Sequence, residues 1–141
     1  MAIGFWPFWF LIAYQVFARE RKLKLLGIDG LVQNVFGLWI TALFDGILVS
    51  NPTLTFDEHR EAFFLLLKDF LEDGRIKFCP PTELWRAGYD VWDADVATIL
   101  QYLRSRWPEA AKSENDLILT DYFYEIPAIL WVAPDGTLHG S

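Results

Sequence analysis

The sequence predicts an α+β fold: a mainly helical single domain with a small antiparallel sheet that includes a C-terminal β-hairpin. The stretch Phe56–Lys77 carries apolar residues at helical spacing as far as Gly74, where a left-handed residue ends a helix. It then alternates polar and apolar residues, as a strand does. Near the C-terminus, the apolar residues 129–132 precede a Pro-Asp-Gly turn at residues 134–136. Helices accompanied by a few locally paired strands are typical of an α+β arrangement.

The predicted helices have recognisable start signals. Thr55 and Glu58 have the spacing of a capping box, in which the two side chains and backbones bond reciprocally at the start of the central helix. A second helix is predicted at Leu31–Val49. A third is predicted at Ala94–Arg106, with Asp93 as its N-cap.

The length of 141 residues is that of one domain. We expect two parts: an apolar and basic N-terminal extension at residues 1–24, and a single α+β domain at residues 25–141. Cys79 is the lone cysteine, which excludes an internal disulfide framework and indicates either a reducing compartment or indifference to redox conditions. We expect a cytoplasmic protein.

The N-terminal residues 2–18 are almost entirely apolar and precede the basic cluster RERKLK. This order favours a signal anchor or an interfacial helix, with the basic end and the body associated with the inner face of a membrane. Three other interpretations stay open: a buried core helix, an extension from a misplaced start codon, and an apolar patch covered by a second subunit in a homodimer.

The net charge of −7 is unevenly distributed. Residues 1–24 have a balance of +3, whereas the remainder carries eight basic and eighteen acidic residues. An acidic body repels phosphates, which argues against nucleic acid as a partner, and it attracts a basic protein. The alternative is that the acidity only keeps an apolar protein soluble.

The sequence contains no motif that specifies a catalytic, cofactor or metal site. His59 has no second histidine at metal-ligand spacing, and we expect it to be a solvated residue of a first helical turn. His139 lies near the C-terminus, where chains fray. Cys79 lacks a neighbouring base and is expected to be a half-buried thiol. We therefore predict no catalytic residue, no metal and no cofactor.

The strongest candidate site is a surface on which aromatic and acidic residues alternate. Aromatic anchors with an acidic rim suit recognition of a basic protein. The alternative is that the rings belong to the core and the acids are ordinary solvated groups. The candidate partner-binding residues are Trp85, Tyr89, Asp90, Trp92, Asp93 and Asp95.

Three parts of the chain form a recognisable combination: the central run with Phe56, Arg60, Phe63-Phe64, Leu66-Leu67 and DGRIK at residues 73–77, the segment QYLRSRWP at residues 101–108, and the ending IPAILWVAPDGTL with Pro127, Trp131, Asp135 and Gly136. In these parts the chain resembles a bacterial family grouped as domain of unknown function 596. The resemblance covers roughly residues 30–140 and implies a small α+β protein with no assigned activity. It also implies gene neighbours that encode large secreted adhesins or toxins, and hence immunity-type partners.

These observations lead to three functional hypotheses. The first is a non-catalytic interaction module, such as an immunity protein that neutralises a basic toxin domain by charge complementarity. The second is a small enzyme that uses dispersed carboxylates, or Cys79 with a distant histidine. The third is a scaffold protein tethered to a membrane by residues 2–18.

Overall fold

The computed structural model describes residues 14–18, 21–81 and 90–140. Within these residues the chain forms five helices and five strands, which confirms the predicted α+β class. In chain order the elements are β1 (Tyr14–Ala18), β2 (Arg21–Leu25), α1 (Ile28–Val35), α2 (Ile40–Ser50), α3 (Phe56–Glu72), β3 (Ile76–Phe78), α4 (Val96–Ser105), α5 (Leu117–Glu125), β4 (Ile129–Val132) and β5 (Leu138–His139).

Helix α3 is the central element, and its two ends follow the predicted signals. The Thr55 hydroxyl accepts a hydrogen bond from the Glu58 amide at 3.1 Å, and the Glu58 carboxylate accepts one from the Thr55 amide at 2.9 Å. Gly74 has a φ of 76°, which ends the helix in the left-handed region. Around it lie α2, α4, β3 and the N-terminal strands, so α3 is surrounded by most of the fold.

The core is built from aromatic rings contributed by α2, α3, α5 and the turn after α4. Phe44 lies 5.2 Å from the Phe63 ring, nearly perpendicular to it, and 5.1 Å from the Phe123 ring. Trp107 contacts the rings of Phe44 and Tyr122 at 5.9 and 5.2 Å. Tilted and edge-to-face contacts of this kind stabilise a core beyond simple burial of area. Many of the abundant aromatic residues are therefore structural.

The single helix predicted at Leu31–Val49 is wrong, because the chain forms two helices there. Gly37, between α1 and α2, has a φ of 81°, a conformation that an α-helix does not contain. At the other end of α2, the buried Asn51 side chain accepts a hydrogen bond from the Leu26 amide at 2.7 Å and donates one to the Leu26 carbonyl at 3.1 Å. This pair of bonds holds the start of α1 against the end of α2.

Strands β3, β4 and β5 form an antiparallel sheet in the order β3-β4-β5, with the predicted C-terminal hairpin between β4 and β5. Ile76 lies opposite Trp131, and Trp131 lies opposite His139. The Trp131 indole donates a hydrogen bond to the Leu38 carbonyl at 3.0 Å, which joins the sheet to the turn between α1 and α2.

Helix α4 begins two residues later than predicted. Its N-cap is Asp95, whose carboxylate accepts a hydrogen bond from the Thr98 amide at 2.8 Å, so the assignment of Asp93 as the cap was wrong. The Arg104 guanidinium lies 3.2 Å from the Glu61 carboxylate and 4.5 Å from the Phe64 ring centroid, and these contacts tie α4 to α3. Burial of the Glu61 carboxyl acts to raise its pKa. The hydrogen bond from Arg104 and the positive charges of Arg104 and Arg60 outweigh this effect, so the pKa of Glu61 is lowered.

Strands β1 and β2 pair as an antiparallel hairpin, with Tyr14 opposite Leu25. Leu23 and Leu25 are buried in the core, and both strands lie against α3. The expected N-terminal helix is therefore wrong for residues 14–18, and the rest of that expectation, at residues 2–13, lies outside the described residues. The predicted boundary at residue 24 falls inside β2. Among the described helices, none has the length and apolar character required to span a membrane.

Candidate functional site

A cleft of about 290 Å³ opens beside β3, the outer strand of the three-stranded sheet. One wall is β3 with the end of α3, and the other is the segment at residues 91–96 with the first turn of α4. Most of the lining is apolar, with one cation and one carboxylate at its edge. The lining residues are Leu71, Ile76, Lys77, Phe78, Val91, Trp92, Ala94, Asp95, Val96 and Ile99.

Trp92 forms part of the cleft wall. Its backbone amide donates a hydrogen bond to the Phe78 carbonyl at 2.8 Å, which fixes the segment against β3. Its ring lies 5.3 Å from the Tyr102 ring at an interplanar angle of 83°. The Arg106 guanidinium lies 3.7 Å from the Tyr102 ring centroid, on the exposed side of α4. Trp92 is half-buried, so it both packs on the core and presents a face to the cleft.

The edge of β3 presents backbone groups to the cleft. The Arg75 carbonyl accepts a hydrogen bond from the Val132 amide of β4 at 2.9 Å. The Cys79 amide donates one to the Ala128 carbonyl, just before β4, also at 2.9 Å. Because alternate residues of a strand direct their backbone groups to opposite sides, those of Ile76 and Phe78 point away from β4. The Phe78 carbonyl is already bonded to Trp92. A strand edge beside an apolar cleft is the geometry in which proteins bind extended peptides.

The segment at one wall of the cleft carries three acidic residues, Asp90, Asp93 and Asp95, which we call the acidic rim. Asp90, Asp93 and Asp95 are all exposed, whereas Lys77 is the exposed cation of β3. Hydrogen bonds from the Thr98 side chain and backbone amide lower the pKa of Asp95, so this carboxylate stays negative under mildly acidic conditions. The two charged residues that line the cleft, Lys77 and Asp95, have opposite signs, and Asp90 and Asp93 add negative charge on the segment beside it.

The structure places the sequence-predicted residues as follows. Trp92 and Asp95 line the cleft, and Asp90 and Asp93 are exposed on the segment beside it. Trp85 and Tyr89 lie outside the described residues. The second interpretation from the sequence, that the rings are core residues, holds in part for Trp92, because one side of its ring packs against the core.

The prediction for His59 was wrong. It was expected to be solvated, but it is fully buried. Its ring stacks on that of Phe44, with centroids 3.8 Å apart. The signal that identifies it is its spacing, because His59 lies four residues before Phe63 and seven before Leu66, on the apolar face of α3.

Both ring nitrogens of His59 lie within hydrogen-bonding distance of an oxygen. Nε2 lies 2.6 Å from the Phe44 carbonyl, and Nδ1 lies 2.8 Å from a carboxylate oxygen of Glu114. Both nitrogens of the buried ring are therefore engaged by protein oxygens. Desolvation raises the pKa of the nearby Asp45 carboxyl. His59 opposes this rise, and the charge of Glu114 adds to it. The pair joins the segment before α5 to the core and has no open side for a substrate at the imidazole.

Cys79 and His139 lie on opposite faces of the three-stranded sheet. Cys79 packs with Ala128 and Leu130 on one face of the sheet. His139 lies opposite Trp131, whose ring belongs to the main core on the other face, and it contacts the Phe36 ring at 5.4 Å. In the part of the chain that the structure describes, no group of three His, Cys, Asp or Glu residues is arranged to hold a metal ion.

Comparisons with known proteins give the fold a bacterial counterpart. The chain is similar to a solved structure described as an uncharacterised protein conserved in bacteria, from Neisseria meningitidis. The TM-score is 0.60 at 23% sequence identity, and the match covers 79% of this chain and 81% of that chain. No protein-family model matches the sequence, and no curated protein does so. The fold is thus shared with a conserved bacterial protein whose own function is uncharacterised.

Proposed function

We propose that this protein is a non-catalytic interaction module of the family grouped as domain of unknown function 596, and that it binds a basic segment of a partner protein in the cleft beside β3. The observation that carries the proposal is the combination of an apolar cleft with an acidic rim. Trp92 offers an aromatic wall, and Asp95 places a carboxylate at the edge.

The chemistry of the cleft favours a lysine or arginine side chain within an extended segment. Such a side chain has a hydrocarbon stem that packs on Trp92 and a cationic end that reaches the rim. An arginine also stacks on an aromatic face. The backbone of the segment would bond to the edge of β3 at Ile76, as a peptide added to a sheet does.

Within this proposal, the partner is a basic toxin domain and the protein is its immunity protein. The support for this role is the family resemblance together with the excess of acidic residues after residue 24. Charge complementarity and occlusion of a partner's active surface require no catalytic group in the blocking protein.

The test is capture of partners from the protein's own cells by a tagged version, with elution by increasing salt and identification by mass spectrometry. The matched variants remove three charges each without adding bulk. The cleft variant is Asp90→Asn, Asp93→Asn and Asp95→Asn, since asparagine preserves the N-cap at residue 95. The control removes three acids elsewhere: Asp29→Asn, Asp57→Asn and Glu109→Gln.

The proposal predicts a basic partner that elutes with salt, is lost with the cleft variant and is retained by the control. A partner that binds both variants equally would contradict the cleft as the binding site. Loss of the partner with both variants would show that total charge, rather than this surface, determines binding.

A further inference from the structure

Helix α5 has apolar residues on two sides, of which only one packs against the core. Leu119, Tyr122 and Phe123 are buried and pack into the aromatic core. On the opposite side, Leu117 is 80% exposed and Tyr124 is 62% exposed. Since seven residues complete almost two turns of a helix, Leu117 and Tyr124 point in nearly the same direction, toward solvent.

The exposed face continues beyond the helix. The Tyr124 ring contacts that of Trp39, at the start of α2, with centroids 4.6 Å apart. Leu38 beside it is 45% exposed, and Ile118 at the start of α5 is 43% exposed. Single exposed apolar residues are common on protein surfaces, but an aligned set of large ones marks an interaction site. We call this set, which consists of Leu38, Trp39, Leu117, Ile118 and Tyr124, the α5 face.

We propose that the α5 face docks a basic amphipathic helix of a partner protein. The anchors on α5 recur at the spacing with which one helix packs along another, and Asp121 lies between them on the same side. A partner helix would lay an apolar stripe on Leu117 and Tyr124 and place lysine or arginine residues beside Asp121 and Glu125.

The charge around the α5 face decides which occupant fits it. Residues 113–126 contain four acidic residues and no lysine or arginine. Glu114 is paired with His59, whereas Asp121 and Glu125 are exposed on α5. A second copy of this chain docked on the same face would bring its own acids against these, and like charges at an interface oppose association. A cationic helix neutralises them.

This inference goes beyond the proposed function, because none of the residues of the α5 face lines the cleft beside β3. The two surfaces are tested by separate variants. The probe is a synthetic amphipathic peptide of leucine and lysine, ~14 residues or about four helical turns long, and a counterpart with glutamate in place of lysine. Binding of each peptide to the purified full chain is measured by isothermal titration calorimetry at low and high salt.

We expect the lysine peptide to bind, to weaken with salt and to be helical when bound, and the glutamate peptide not to bind. The variant Leu117→Ala with Tyr124→Ala should weaken binding at least about tenfold, as truncation of central apolar anchors does. Asp121→Lys should weaken it as well, by charge reversal. Val49→Ala is the matched control, because Val49 is an 81% exposed apolar residue on α2 and should leave affinity unchanged.

Two results would overturn the inference. One is an equal affinity of the lysine peptide for the wild-type protein and for the double variant, which would mean that only total charge attracts it. The other is a dimer in sedimentation equilibrium that dissociates in the double variant, which would make a second copy the occupant. The three-residue cleft variant should bind the peptide as the wild type does.

Discussion

Removal of the Glu114 carboxylate tests how strongly the buried His59 ties the segment before α5 to the core. His59 has 0% exposure, and its nitrogens lie 2.8 Å from Glu114 and 2.6 Å from the Phe44 carbonyl. Deleting one partner of a hydrogen bond to a buried polar group costs about 1–3 kcal/mol, and more when the group is charged. Glu114 retains 26% exposure, so water replaces part of the lost bond. We therefore expect Glu114→Ala to lower the free energy of unfolding by about 2–3 kcal/mol.

The assay is urea unfolding at neutral pH, followed by the fluorescence of the core tryptophans. Glu114→Gln keeps an amide oxygen that accepts the bond from His59, and should cost only about 1 kcal/mol. Glu109→Gln, in the same segment but exposed, should change stability by less than about 0.5 kcal/mol. A Glu114→Ala variant within about 0.5 kcal/mol of the wild type would show that the pair contributes nothing measurable to stability, contrary to this expectation.

Three further variants test the packing of the helices. Tyr122→Phe removes a hydroxyl that donates to the buried Leu103 carbonyl at 2.7 Å, and should cost about 1 kcal/mol in urea unfolding. Gly46→Ala places a methyl group against Leu31, and should cost about 1 kcal/mol net by thermal unfolding, since overpacking outweighs the gain in helix propensity. The lowered pKa of Glu61 means that its ion pairs stabilise the fold above the ordinary pKa of 4.5 and are lost as the pH falls through the folded value. The stability difference between wild type and Glu61→Gln should therefore shrink on acidification, and a difference that is constant with pH would contradict this.

Much of the architecture was predictable because its signals are local. The capping box at Thr55 and Glu58 and the left-handed Gly74 each require residues only a few positions apart, and the structure contains both. The hairpin turn at residues 134–136 is of the same kind. The predicted α+β class with a C-terminal hairpin followed from these signals and is confirmed.

The features that were missed depend on distant partners. His59 is buried because Phe44 and Glu114, 15 and 55 residues away, supply acceptors for its ring, and nothing beside it in the sequence indicates them. Helix α5 was not predicted, because its exposed Leu117 and acidic residues obscure the usual single apolar stripe. Gly37 resembled an interior residue of a long apolar helix, although its positive φ divides that stretch.

The candidate site was predictable in composition but not in shape. The alternation of aromatic and acidic residues indicated Trp92 and Asp95 as candidate site residues, and both line the cleft beside β3. The opposite wall comes from Leu71 and Ile76 to Phe78, whose position beside the segment depends on the sheet and on the bond from the Trp92 amide. Sequence patterns do not specify such an arrangement.

The most direct test of the proposed interaction is the affinity of the captured partner for purified protein, measured over a range of salt concentrations. The comparison is between the wild type, the variant at Asp90, Asp93 and Asp95, and the control at Asp29, Asp57 and Glu109. We expect only the cleft variant to lose affinity, at least about tenfold, and its remaining binding to depend less on salt. Equal affinity and equal salt dependence in all three proteins would contradict recognition through the acidic rim.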